Sequence, residues 1–132
     1  MKNILILLLV ISFPSYLLVQ NMEDNPSGSL IIDVATFSKK SGEINTMVLD
    51  VRTREEFDSG HIPNAFNIDF SSAQFDRNVA RLDKNKTYLL YCHSGNRSKK
   101  VSSALLELGF DKVFDLEGGI SEWKKQSRPV SK

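Results

Sequence analysis

The run Thr87-Tyr88-Leu89-Leu90-Tyr91 carries no alternation of apolar and polar residues. A strand with one wet face alternates, because successive side chains point to opposite sides of a sheet. A run without alternation is expected to be covered on both faces, the habit of parallel sheets flanked by helices. The segments around it agree. Leu30-Ile31-Ile32 is a short strand candidate, and Asp33 stands where it can cap a helix running to about Lys40. Met47 to Val51 reads as a buried strand, followed by a polar turn and a short helix over Glu55 to Ser59. Gly60-His61-Ile62-Pro63 ends that helix and redirects the chain towards a strand over Ala65 to Ile68. Phe75, Val79 and Leu82 share one helical face, as do Val101, Ala104, Leu105 and Leu108, with Gly109 as a left-handed stop. Val113 to Leu116 is the last strand, and Gly118-Gly119 turns the chain into a short helix holding Trp123. The expected fold is therefore α/β, with a mainly parallel central sheet of about five strands flanked by helices on both faces.

In such sheets ligands sit beyond the strand C-termini, and one candidate strand ends in Cys92-His93-Ser94-Gly95-Asn96-Arg97 before a helical pattern. A tight loop at a helix start leaves several N–H groups pointing inward, with the positive end of the helix dipole behind them. A cysteine at the rim of that cup is favoured as thiolate, and Arg97 adds a fixed cation at its far end. Gly95 is expected to take a backbone conformation that a side chain would forbid. Ser98 is placed either to cap the helix or to donate to sulfur, and His93 is either a charge tuner near neutral pH or a plain exposed loop residue. Asp50 and Arg52, at another strand end, read first as a structural hydrogen-bonded pair and second as substrate contacts. His61 looks like a turn-fixing residue and Trp123 like core packing.

Composition narrows the classes. The chain has 132 residues and a formal net charge of +1, with basic residues scattered or paired with acids as in Arg52-Thr53-Arg54-Glu55-Glu56. That argues against nucleic acid as a partner, which needs a basic face. Residues 1–22 stand apart: Lys2 is the only charge before a 16-residue apolar stretch, Ile4 to Val19, interrupted by Ser12, Pro14 and Ser15. A basic start before an apolar region too short to span a bilayer comfortably reads as an export signal, either cleaved or kept as an N-terminal anchor. Residues 23–29 form a polar linker, and 30–128 the domain. Export to the periplasm or the exterior makes the cysteine count informative. One cysteine cannot form an internal disulfide, so Cys92 is a buried inert residue, an intermolecular partner or a reactive thiol. No metal-ligand spacing and no nucleotide fingerprint is present, so no cofactor is expected.

Four blocks then resemble one family in order and spacing: Leu49-Asp50-Val51-Arg52-Thr53-Arg54-Glu55-Glu56-Phe57; Gly60-His61-Ile62-Pro63-Asn64-Ala65-Phe66-Asn67-Ile68; the Cys92 to Ser98 loop; and Val113-Phe114-Asp115-Leu116-Glu117-Gly118-Gly119-Ile120 with Trp123. Together they resemble the rhodanese homology domain of single-domain sulfurtransferases. Members of that family are known for a C-x4-R loop, here Cys92 to Arg97, whereas related cell-cycle phosphatases use C-x5-R. Many members carry Arg directly after the cysteine, where this chain has His93, one permanent charge fewer.

The resemblance implies double displacement through a Cys92 persulfide. The donor would be a small sulfur-containing anion such as thiosulfate, and the acceptor a thiol, protein thiol or cyanide. Loop N–H groups from His93 to Ser98 would stabilise the charged forms, and Arg97 would hold the departing anion. Lowering a thiol from about 8.5 to about 6.5 raises its thiolate fraction at pH 7 roughly 25-fold but reduces its nucleophilicity roughly 8-fold. The net gain of about threefold leaves donor positioning to supply most of the rate. A non-catalytic sulfur-relay or protein-binding module, and a phosphatase or arsenate-reductase-like activity, are the competing readings. A monomer or weak dimer is expected.

Overall fold

A computed structural model of the chain describes residues 29–132. The expected signal or anchor (1–22) and all but the last residue of the linker (23–29) lie outside the described residues. The elements run β1 (Leu30–Ile32), α1 (Val34–Ser41), β2 (Thr46–Asp50), α2 (Arg54–Ser59), β3 (Phe66–Asn67), α3 (Phe75–Ala80), β4 (Thr87–Tyr91), α4 (Asn96–Glu107), β5 (Val113–Leu116) and α5 (Gly119–Lys125). The five strands form one sheet in the order β1-β5-β4-β2-β3, and every neighbouring pair is parallel. This is the α/β architecture expected from the alternating segments.

Strand β4 lies at the centre because both of its faces are apolar. Tyr88 and Leu90 join Leu49, Val101, Leu105 and Val113 in one core cluster, while Leu89 and Tyr91 join Phe37, Ile62, Ile120 and Trp123 in the other. The helix ends follow local chemistry. Asp33, in extended conformation, accepts from the Thr36 N–H at 2.8 Å and starts α1, and Thr53 accepts from the Glu56 N–H at 3.2 Å to start α2. Helix α4 stops in a Schellman arrangement: Gly109, at φ +93°, donates to the Leu106 carbonyl, and Phe110 donates to that of Leu105.

Two elements fall short of expectation. The strand expected over Ala65 to Ile68 keeps only Phe66 and Asn67, an edge strand with a single neighbour to pair with. The helical face Phe75, Val79, Leu82 is shared by a helix that ends at Ala80 and a following turn, in which Leu82 donates to the Val79 carbonyl. Trp123 is buried and donates from Nε1 to the Pro129 carbonyl at 2.8 Å. His61 stacks on Phe57 at a centroid distance of 3.8 Å, with Nδ1 3.0 Å from the Phe57 carbonyl oxygen, which holds the turn after α2.

Candidate active site

The parallel sheet sends the C-terminal ends of β2 and β4 to the same edge, in register as Asp50 beside Tyr91. Cys92 leaves β4 there and is 1% exposed, at the floor of an open polar pocket of about 590 Å³. The chain then folds back on the sulfur: Gly95, at φ +107°, brings its N–H to 3.0 Å from the Cys92 Sγ and hands over to the first turn of α4. A residue with a side chain would be strained at that φ, so the turn needs glycine.

The loop's carbonyls face the other way. The Cys92 and His93 oxygens accept from the N–H groups of Ile120 and Ser121 at 2.9 and 3.0 Å, docking the loop on the start of α5. Gly119, at φ +60°, lies beneath this contact, and a Cβ there would stand 2.5 Å from both oxygens. With carbonyls turned out and N–H groups turned in, the sulfur sits in a donor-rich environment. Burial pushes the Cys92 thiol up, but the Ser98 hydroxyl and the N–H groups of Ser98, Gly95 and Ser94 outweigh it and hold the thiol below its ordinary value.

The cations around this floor are already engaged. Arg52 is 4% exposed; its Nε lies 3.0 and 3.1 Å from the two Asp50 oxygens, its Nη2 2.6 Å from Oδ2, and Nη2 also donates to the Gly60 carbonyl at 2.7 Å. Arg97 reaches across to α2, where Nη1 and Nη2 donate to the two Glu56 oxygens at 2.9 and 2.8 Å. Through that pairing Arg97 holds the Glu56 carboxyl below the usual range, against a burial penalty. The end of the cup expected to grip an anion is thus occupied by a carboxylate.

Ser98 departs from its first expectation. The cap position belongs to Gly95, without a side-chain cap, and the Ser98 hydroxyl lies within the first turn of α4, 2.7 Å from Asp115 Oδ1 and 3.4 Å from the Cys92 sulfur. His93, Ser94 and Asn96 are exposed on the pocket rim, joined by Lys124 from α5. A second cavity of about 380 Å³, between α3 and α4, is lined mainly by apolar side chains such as Phe75, Val79, Leu105 and Phe110, with Asp76 and Lys84 beside them.

Three contributors escaped sequence reasoning. Glu56 stands in the mixed-sign run Arg52-Thr53-Arg54-Glu55-Glu56, where nothing in the spacing singles it out. Asp115 and Ser102, whose hydroxyl lies 3.5 Å from Asp115 Oδ2, are buried behind the sulfur. The available signal was a single acid inside the apolar run Val113-Phe114-Asp115-Leu116, since a charge on a covered strand must find partners.

The sequence pattern of the Rhodanese-like domain family matches residues 18–126. The chain belongs to this family. Among rhodanese-like relatives, a protein named thiosulfate sulfurtransferase GlpE from Coxiella burnetii is 36% identical over 78 residues, spanning 59% of this chain and 71% of that protein. A tRNA uridine(34) hydroxylase of Cytophaga hutchinsonii is 36% identical over 95 residues, 70% of this chain but 30% of the hydroxylase. The crystal structure of a rhodanese-related protein from Thermoplasma volcanium superposes with a TM-score of 0.69 at 32% identity, covering 77% of this chain and 97% of that one.

Proposed function

We propose that this rhodanese-like domain is a sulfurtransferase that carries sulfane sulfur on Cys92. The observation that supports it most is the buried Cys92 sulfur at the pocket floor, with the Gly95 N–H at 3.0 Å and a thiol held below its ordinary value. Such a sulfur is a nucleophile, and the same donors suit the negative charge of a persulfide. In the first step the Cys92 thiolate attacks the outer sulfur of the donor. A new S–S bond forms, the donor's S–S bond breaks, and its electron pair leaves on sulfite or on a thiolate. In the second step an acceptor thiolate or cyanide attacks the outer sulfur of the persulfide and restores the Cys92 thiolate. No oxidant or reductant is consumed. The name of the Coxiella burnetii relative, thiosulfate sulfurtransferase GlpE, supports sulfur transfer as the activity class.

The docking-module reading draws support from the hydroxylase, in which the matched region is a minor part of a longer protein. One assay separates the two. Full-length chain is offered thiosulfate or cysteine persulfide, then cyanide or a dithiol, beside Cys92→Ser. The enzyme reading expects turnover that Cys92→Ser abolishes; equal, background-level transfer by both proteins favours the docking module. Export remains part of this reading, resting on residues 1–19, and the intact mass of protein recovered from an exporting host tests it through the mature N-terminus.

A further inference from the structure

We propose that Glu56 is a specificity-determining residue of this pocket: by holding Arg97 it turns the site away from dianionic donors such as thiosulfate and towards a low-charge terminal persulfide, R–S–SH. The inference rests on the sulfur-transfer reading and narrows its donor.

Thiosulfate brings two negative charges to an attacking thiolate and leaves as sulfite carrying two. A site suited to it needs cations that are not already neutralised. Both guanidinium groups lining the pocket face carboxylates, Arg52 on Asp50 and Arg97 on Glu56. Lys124, on the rim, is the lining lysine or arginine without a carboxylate partner among the described residues. With Cys92 as thiolate, three cations therefore meet three anions, and the pocket has no surplus positive charge. His93 adds charge only in its acid form.

A terminal persulfide avoids this conflict. Cys92–S⁻ attacks the outer sulfur of R–S–SH, the Cys92 S–S bond forms as the donor's breaks, and the products are Cys92–S–SH and R–S⁻. The proton stays on the transferred sulfur, and the leaving group carries one charge, which Lys124 and solvent can meet.

The position of Glu56 is set by this pairing and not by its own helix. Thr53-Arg54-Glu55-Glu56 has the form of a capping box, in which the acid's side chain would turn back to the cap N–H. Here Thr53 makes its half of the box, while the Glu56 carboxylate turns instead to Arg97, 41 residues along the chain. Gln also serves at this box position, so Glu56→Gln removes the charge and keeps the helix start.

The test uses full-length wild type, Glu56→Gln, and Glu55→Gln, which removes the same charge from an exposed neighbour. At mildly alkaline pH, inorganic sulfate, a dianion that transfers no sulfur, is titrated as protection of Cys92 against iodoacetamide. Glu56→Gln is expected to be protected at roughly tenfold lower sulfate than the other two proteins, the scale of one charge-assisted hydrogen bond regained. In parallel, the ratio of kcat/KM for cysteine persulfide over thiosulfate should favour the persulfide in wild type and fall roughly tenfold in Glu56→Gln through the thiosulfate KM. Equal sulfate protection in all three proteins, or an equal gain in Glu55→Gln, overturns the proposal. If wild type takes sulfur from neither donor, the sulfur-transfer reading fails and the donor assignment with it. The sulfate titration still decides separately whether Glu56 screens dianions.

Discussion

A carboxylate on a strand with neighbours on both sides must find its donors inside the molecule. Asp115, on β5 between β1 and β4, is 1% exposed and takes the hydroxyls of Ser98 and Ser102. Burial pushes its pKa up to about 6, while Ser98, Lys99, Ser102 and the Leu116 N–H act to lower it. The folded state thus binds this proton more tightly than the unfolded chain, where the carboxyl titrates near 3.8. The stability from that proton is complete below the unfolded value and is lost as pH rises through about 6. The difference corresponds to a cost on the order of 3 kcal/mol at neutral pH. Asp115→Asn keeps an acceptor for Ser98 and removes the charge. Urea unfolding is expected to find it more stable than wild type by about 2 kcal/mol at neutral pH, with the advantage vanishing by about pH 4. A variant less stable by the same amount at every pH would contradict this account of the buried charge.

Between elements, the decisive contact is α5 against the Cys92 loop. Because a Cβ on Gly119 would stand 2.5 Å from two carbonyl oxygens, and its φ is +60°, Gly119→Ala must move the loop or the helix. Gly109, also at positive φ, has only the flexible end of Lys84 near the same point, at 3.7 Å. Thermal melts are expected to show Gly109→Ala destabilised by about 1 kcal/mol, the left-handed penalty alone, and Gly119→Ala by about 3 kcal/mol or more. Slower Cys92 alkylation should accompany only the second. Elements with local signals were legible in the chain: Asp33 for the start of α1, Gly109 for the end of α4, and the unbroken run of β4. The limits of β3 and α3 were not. Strand β3 ends where its pairing with β2 ends, and α3 gives way to a turn that keeps Leu82 on the apolar side, so residue spacing alone could not distinguish helix from turn.

At the scale of the molecule, the parallel sheet carries a strand-end cysteine, an inward-facing loop and two charged pairs to one edge. The sequence revealed the nucleophile and its loop because strand, glycine and helix start are consecutive. It concealed the partner of Arg97 and the acid behind Ser98, which come from α2 and β5 and meet the loop only when the sheet closes. The lowered pKa of Cys92 is therefore a property of the assembled fold: the Ser98 hydroxyl and the loop's N–H groups supply it, and the docking on α5 keeps the loop in place. The most direct test is the pH dependence of iodoacetamide alkylation of Cys92, in the folded chain and in the same chain unfolded by urea. The folded protein should show a midpoint clearly below that of the unfolded one, which titrates as an ordinary thiol at about 8.5. A folded midpoint at or above the unfolded value would mean that burial prevails over the loop's donors, and the case for a persulfide-carrying thiolate would fail.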